Sequence, residues 1–316
     1  MPPSTRARRP SRSSTTSPDH PDEHTAMRGP PSDRSPAELL SFGVVNLDKP
    51  PGPSAHQVAA WVRDLAGVDR AAHAGTLDPK VTGCLPVLLG DATRAARVFD
   101  DARKEYVAVL ELHGPAPADL RETVADFEGE IYQKPPRKSA VRRRLRTRTI
   151  HALDVLEVGG RKALLRVACE AGTYVRKLCH DLGLALGTGA HMGDLRRTGT
   201  GGFDDTDLVT LHDLADALAV WQEDGDDSWL REAVDPAERV LSGLPSLTVA
   251  PSAAAEIAHG APVYAPGVLD AALGDADHGA LVACYTPDGA AVCLGTLVGE
   301  PGADSGTVVD TDRVLV

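Results

Sequence analysis

Between His73 and Arg94 the chain reads H-A-G-T-L-D-P-K-V-T-G-C-L-P-V-L-L-G-D-A-T-R, and this segment constrains the rest of the molecule more than any other. One acid, Asp78, stands between apolar Leu77 and rigid Pro79, and no second carboxylate follows until Asp91. Gly75 admits backbone dihedrals closed to other residues, while Pro79 fixes its own φ and drives Asp78 toward an extended conformation. A D-P pair is ordinarily no more than a turn. A lone carboxylate held rigidly on a loop is also suited to attack on a substrate, so the surrounding segments have to decide.

Those segments describe an α+β chain. Order is expected to begin near Leu39, and F-G-V-V-N-L-D-K-P-P-G at 42–52 reads as a short strand that breaks at the Pro50-Pro51-Gly52 corner. Ser54 can cap a following helix whose Val58, Trp61, Val62 and Leu65 have the spacing of one buried face. Asp91 is expected to cap a helix through Arg103, which yields to alternation in K-E-Y-V-A-V-L-E-L-H. Tyr106, Ala108, Leu110 and Leu112 then share one strand face. A second alternating run, R-K-A-L-L-R-V-A-C-E, leads into A-G-T-Y-V-R-K-L-C-H-D-L-G, where Thr173 is the expected N-cap. Val175, Leu178, Cys179, Leu182 and Leu186 form the buried stripe of that helix, and Tyr174 and Arg176 stand off it in the first turn. Thr210 caps another helix, with Leu211, Leu214 and Leu218 inward. From about Leu247 small residues, a helix near 252–258 and strands near 280–285 and 291–298 indicate a small β domain. The expected division is therefore a disordered tail over 1–36, one domain over 37–245 and a second over 246–316.

Charge sets a puzzle. The 316 residues are 42% hydrophobic and 25% charged, as in ordinary globular proteins, yet 33 basic residues against 45 acidic give a net charge of -12. Against that background K-P-P-R-K-S-A-V-R-R-R-L-R-T-R at 134–148 contains no acid, and its arginines, Arg142, Arg143 and Arg144 among them, suit a loop and strand tracking a phosphate backbone. The acidic remainder fits adaptation to high salt, because the Debye length falls to about 3 Å in molar salt and distant charge stops mattering. Five cysteines form no C-x-x-C pair and their count is odd, which argues against a zinc site or disulfide framework and for a reducing cytoplasm. No apolar run reaches the roughly 18 residues of a membrane span. Residues 1–36 are too poor in large apolar side chains to fold alone; Arg6, Arg8, Arg9 and Arg12 suit an RNA-touching arm or a transit-like segment, and Met27 is an alternative start.

The segment G-T-L-D-P-K-V-T-G-C-L-P at 75–86 resembles the active-site segment of the TruB and dyskerin family of RNA pseudouridine synthases. That resemblance implies a pseudouridine synthase fold, a mixed and mainly antiparallel sheet with flanking helices, followed by a small β-barrel PUA domain whose most telling part is H-G-A-P-V-Y-A-P-G. It implies isomerisation of uridine to pseudouridine without cofactor or metal, with Asp78 in the place of the catalytic aspartate. By the same likeness Tyr106 stacks on the uracil and serves proton transfer. G-T-Y-V-R supplies Tyr174 to the uracil pocket and a buried Arg176 that pairs with Asp78 and keeps it ionised. Leu195, in H-M-G-D-L-R-R, packs against the base, and His73 helps to hold the flipped RNA loop. Two departures stand out: Pro53 precedes Ser54 where the family usually has threonine, and Gly199 occupies a place where relatives tend to carry a basic residue.

The wording of P-P-R-K-S-A-V-R-R-R-L-R, C-E-A-G-T-Y-V-R-K-L-C-H-D-L-G and H-M-G-D-L-R-R is closer to the archaeal and eukaryotic dyskerin branch than to stand-alone bacterial tRNA enzymes. Relatives of that kind work in a box H/ACA ribonucleoprotein, in which a guide RNA selects uridines of rRNA and three small proteins accompany the enzyme. A guide-free enzyme acting on the tRNA T-loop is the alternative. A non-catalytic RNA scaffold is the reading from another class, and it would have no need of Asp78, Tyr106, Tyr174, Arg176 and Leu195 together.

Overall fold

The computed structural model describes residues 27–135, 142 and 144–316. Its larger unit is a ten-stranded sheet built from β1 (Gly43–Lys49), β2 (Ala71–His73), β3 (Thr82–Leu89), β4 (Lys104–Leu112), β5 (Gly129–Gln133), β6 (Arg146–Gly159), β7 (Lys162–Cys169), β8 (Ala190–Thr200), β9 (Phe203–Asp204) and β10 (Asp235–Pro236). The order is β10-β1-β3-β8-β4-β7-β6-β5, with β2 added to β3 and β9 to β8. Every pairing is antiparallel except that of β3 with β8, where Thr82 and Gly83 lie opposite Arg196 and Arg197. That single parallel joint requires glycine: Gly83 has φ 94°, and a Cβ there would sit 2.2 Å from the Arg197 carbonyl oxygen. The joint brings the Asp78 loop, which ends at β3, beside the side chains of β8.

The alternation on β4 is realised, with Tyr106, Ala108, Leu110 and Leu112 buried on one face together with Lys104. The helix Val175–Ala185 turns Val175, Leu178, Cys179 and Leu182 into the same core. A second, six-stranded sheet follows: β11 (Ser246–Val249), β12 (Val263–Tyr264), β13 (Val268–Ala272), β14 (Leu281–Tyr285), β15 (Ala291–Leu297) and β16 (Thr307–Val314), in the order β12-β16-β15-β14-β11-β13. An apolar seam joins the units, because Phe42, Val44, Leu88 and Phe99 pack in one cluster with Ala283, Ala291, Leu294 and Leu315. Among the described residues no helix is long and apolar enough to cross a membrane.

Four local expectations need correction. A tail ending at residue 36 is too long: Arg28 donates to the Leu315 carbonyl and to Asp91, and Arg34, 2% exposed, pairs with Glu238 at 2.6 Å. Both guanidinium groups also lie over the Phe42 ring, at 4.5 and 5.4 Å. This segment is ordered by arginine pairing rather than apolar burial, so hydrophobic content understates it; residues 1–26 lie outside the described residues. On the helix Ala55–Ala66 the inward stripe is Ala55, Val58, Ala59, Val62 and Ala66, leaving Trp61 and Leu65 at its edge, 41% and 39% exposed. Asp91 caps nothing; it takes Arg28, Arg70 and Arg94 as ion partners at the start of 3₁₀ turns over Gly90–Phe99. Thr173 is likewise not the N-cap, since its hydroxyl donates back to the Glu170 carbonyl and Tyr174 takes the capping position.

Candidate active site

The Asp78 loop is held at both flanks by buried cations. From β1, fully buried Lys49 donates to the carbonyls of Pro50, Pro79 and Val81 at 2.9, 3.0 and 2.8 Å. From β8, Arg197 donates through Nε to the Cys84 carbonyl at 2.7 Å and through its terminal nitrogens to Ala74 and Gly75 at 2.9 and 3.5 Å. Gly75 has φ 74°, and any Cβ there would press on the Arg197 guanidinium at 3.3 Å. The loop is thus fixed by its backbone, which leaves the Asp78 carboxylate free to point away from it. A catalytic group gains rate from such fixed placement.

Asp78 opens into a cleft of about 470 Å³ whose walls include Tyr106, Tyr174, Arg176, Leu195 and Lys104. Arg176 Nε lies 3.0 Å from Asp78 Oδ2. The expectation of a buried arginine fails, since 37% of the Arg176 side chain and 46% of the Asp78 side chain remain exposed. The physical reason is position: Arg176 belongs to the first turn of its helix, at the mouth of the cleft rather than beneath it. Tyr106, buried and opposite Arg197 on the neighbouring strand, has its phenol pushed up to about 12 by burial, against the opposing pull of the Arg197 charge and hydrogen bond. It therefore holds its proton at neutral pH. Tyr174 is placed through its backbone, whose N–H donates to Gln133 Oε1 at 2.9 Å and whose carbonyl accepts from Gln133 Nε2 at 3.3 Å. Leu195, opposite Ala108, supplies the apolar wall.

Asp78, Tyr106, Tyr174, Arg176 and Leu195, drawn from distant stretches of the chain, line this one cleft. His73 does not. On β2 it faces the His56 ring edge to face at 5.9 Å, its Nδ1 is buried without a partner, and burial chiefly lowers its pKa. Its partner on β3 is Val87. Arg142 and Arg144 are exposed between β5 and β6, and Arg143 lies outside the described residues. Sequence reasoning misses Lys49, Lys104, Gln133 and Arg197. Alternation carries a signal for Arg197, which shares a β8 face with Leu195; nothing marks Gln133. A larger cavity of about 640 Å³ borders residues 98–105 and holds an Arg103–Glu105 pair at 3.2 Å, but it contains none of the five.

A mainly antiparallel mixed sheet, carrying a clamped aspartate with arginine and tyrosine around an open cleft, defines the class of the chain as a pseudouridine synthase. Three family profiles match it: the DKCLD (NUC011) domain over residues 24–59, the TruB family pseudouridylate synthase N-terminal domain over 63–117 and 113–175, and the tRNA pseudouridylate synthase B C-terminal domain over 176–242. Proteins described as "Probable tRNA pseudouridine synthase B" are 66% identical in Haloarcula marismortui, over 99% of both chains, and 46% identical in Pyrococcus abyssi, over 91% of this chain and 88% of that one. Among solved structures, that of a Cbf5-Nop10-Gar1 complex is 44% identical with a TM-score of 0.86, covering 94% of this chain and 91% of that one. An H/ACA RNP bound to a substrate RNA containing 2'-deoxyuridine gives 42%, 0.85, 94% and 92%. The chain belongs to the TruB family of RNA pseudouridine synthases.

Proposed function

We propose that this synthase is the catalytic subunit of a box H/ACA guide ribonucleoprotein, isomerising selected uridines of rRNA with Asp78 as the nucleophile. The observation that carries the chemistry is the 3.0 Å pair of Asp78 and Arg176 on a loop clamped by Lys49 and Arg197. The reaction breaks the bond from ribose C1′ to uracil N1, turns the ring in place and joins C5 to C1′; C5 gives up its proton and N1 takes one up. The Asp78 carboxylate adds either to uracil C6 or to C1′, and both routes give a covalent intermediate of an accepted kind. The uridine leaves its stack to enter the cleft, at a cost of a few kcal/mol that stacking on Tyr106 partly offsets. Leu195 packs against the other side of the base, and Tyr174 bounds it.

Likeness over nearly the whole chain to subunits solved with Nop10, Gar1 and substrate RNA supports the guide-dependent reading, with small proteins of that kind as partners. In this reading the six-stranded C-terminal sheet is a PUA domain that holds the guide's ACA end. The exposed arginines at 142 and 144, beside Arg143, meet the RNA backbone, and the enzyme works in the cytoplasm without cofactor or metal. The names of the relatives favour a second reading, a guide-free enzyme of the tRNA T-loop. Purified protein is given transcribed tRNA, or rRNA fragment with and without guide RNA, and pseudouridine is quantified by mass spectrometry. Modification of rRNA only with guide supports the first reading; efficient modification of tRNA alone replaces it with the second.

A further inference from the structure

Two lysines are buried beneath the cleft, and they differ in one respect. Lys49 spends all three ammonium donors on carbonyls, whereas Lys104 spends two, on Phe99 at 2.8 Å and Ala102 at 2.9 Å. Lys104 is 6% exposed, shares the inward face of β4 with Tyr106, and forms part of the cleft wall. Among the described residues no protein acceptor takes its third N–H. A buried ammonium with an unspent donor is costly unless something polar arrives to use it.

The reaction supplies such a group. When C1′–N1 breaks, its electron pair stays with uracil and spreads onto the ring carbonyl oxygens. When a carboxylate instead adds to C6, the pair displaced from the C5–C6 bond moves onto the ring and its carbonyl at C4. Either route places negative charge on a uracil carbonyl within the cleft, so the outcome is independent of which carbon Asp78 attacks.

Resting on the nucleophilic reading of Asp78 above, we infer that Lys104 is a further substrate-binding cation, whose third N–H donates to a uracil carbonyl oxygen and stabilises the ring anion during glycosidic cleavage and rotation. Arg197 spends four of its five N–H donors on three backbone carbonyls and Tyr106, so its guanidinium is held to the loop it clamps. Burial pushes the Lys104 ammonium down to about 8, and the charge of Arg197 lowers it further, against the pull of the Asp100 and Asp101 carboxylates. Tyr106 beside it, with Asp78, Tyr174 and Arg176 around the cleft, completes the titratable surroundings. The cation is thus present at neutral pH and lost a little above it.

The test uses the full chain and the RNA that wild type modifies, under single-turnover conditions, with RNA affinity measured separately. Lys104→Met is expected to lower the rate about 10² to 10³-fold, the usual loss of one donor to a developing oxyanion, with affinity within a few-fold. The wild-type rate is expected to fall above about pH 8, and in Lys104→Arg that limb moves to higher pH, a change that a purely structural clamp would not produce. A wild-type rate without an alkaline limb overturns the inference even if Lys104→Met fails to fold, and so does folded Lys104→Met with near-normal rate. Asp78→Asn in the same assay separates the two claims: if it keeps turning over, the nucleophile reading fails, and if it is dead while Lys104→Met is active, only this inference fails.

Discussion

Replacing Lys49 with methionine tests whether the loop that carries Asp78 is held by its backbone. Methionine keeps the length of the stem and removes three N–H donors. The Pro79 carbonyl retains the Gly52 amide at 2.8 Å, so two acceptors, the carbonyls of Pro50 and Val81, lose the ammonium. An acceptor stranded in the interior costs about 1–3 kcal/mol, which gives a gross loss of about 2–6 kcal/mol. Relief of the desolvation that lowers the lysine's pKa offsets part of this, leaving about 2–4 kcal/mol. For a chain of this size that lowers the melting temperature by about 3–6 °C. Because the same hydrogen bonds fix the residues on either side of Asp78, single-turnover rates fall as well, by about 10²-fold for a shift near 1 Å. Melting is followed by circular dichroism in molar potassium chloride and turnover by pseudouridine content. A variant that melts within a degree or two of wild type and turns over normally refutes the reasoning.

Three further outcomes are expected. Arg176→Lys should lower turnover by at least about 10²-fold with folding intact, since a flexible ammonium does not reproduce the fixed Nε approach to Asp78; normal turnover would detach the pair from catalysis. Tyr106 ionises at about 12 in the folded chain against 10.0 ordinarily, so above pH 10 the unfolded chain sheds this proton first. Stability then drains away between pH 10 and 12, by about 2–3 kcal/mol, and Tyr106→Phe should lack that part of the loss in denaturant titrations, whereas identical pH profiles would contradict its burial. Gln at both 142 and 144 should weaken RNA binding and flatten the slope of log affinity against log salt by about 0.7–0.9 for each phosphate no longer neutralised; an unchanged slope removes this loop from the interface.

The legible part of the molecule is the part written in periodicity. Period two exposes the β4 face that runs from Tyr106 to Leu112, and the spacing of Val175, Leu178, Cys179 and Leu182 gives the helix that presents Arg176. The lettering around Asp78 and Tyr174 points to two halves of one cleft, although more than ninety residues separate them. What stays hidden depends on the meeting of distant strands. Arg197 reaches the Ala74 and Gly75 carbonyls only because β3 and β8 run parallel, and no local pattern announces that joint. Gln133 matters only through its two bonds to Tyr174. Arg28 and Arg34 read as tail because paired arginines replace the apolar residues by which ordered segments are ordinarily found. Likeness of lettering groups His73 with the other five, and the structure places it beside His56, outside the cleft they line.

The central claim is that the side chain at 78 makes and breaks the covalent bond. RNA labelled with tritium at uracil C5 releases that label when C5 is joined to the ribose, so tritium release by Asp78→Asn reports the chemistry directly. The account predicts none above background, with RNA affinity within a few-fold of wild type and an unchanged melting curve. Release at the wild-type rate from the folded variant would contradict it.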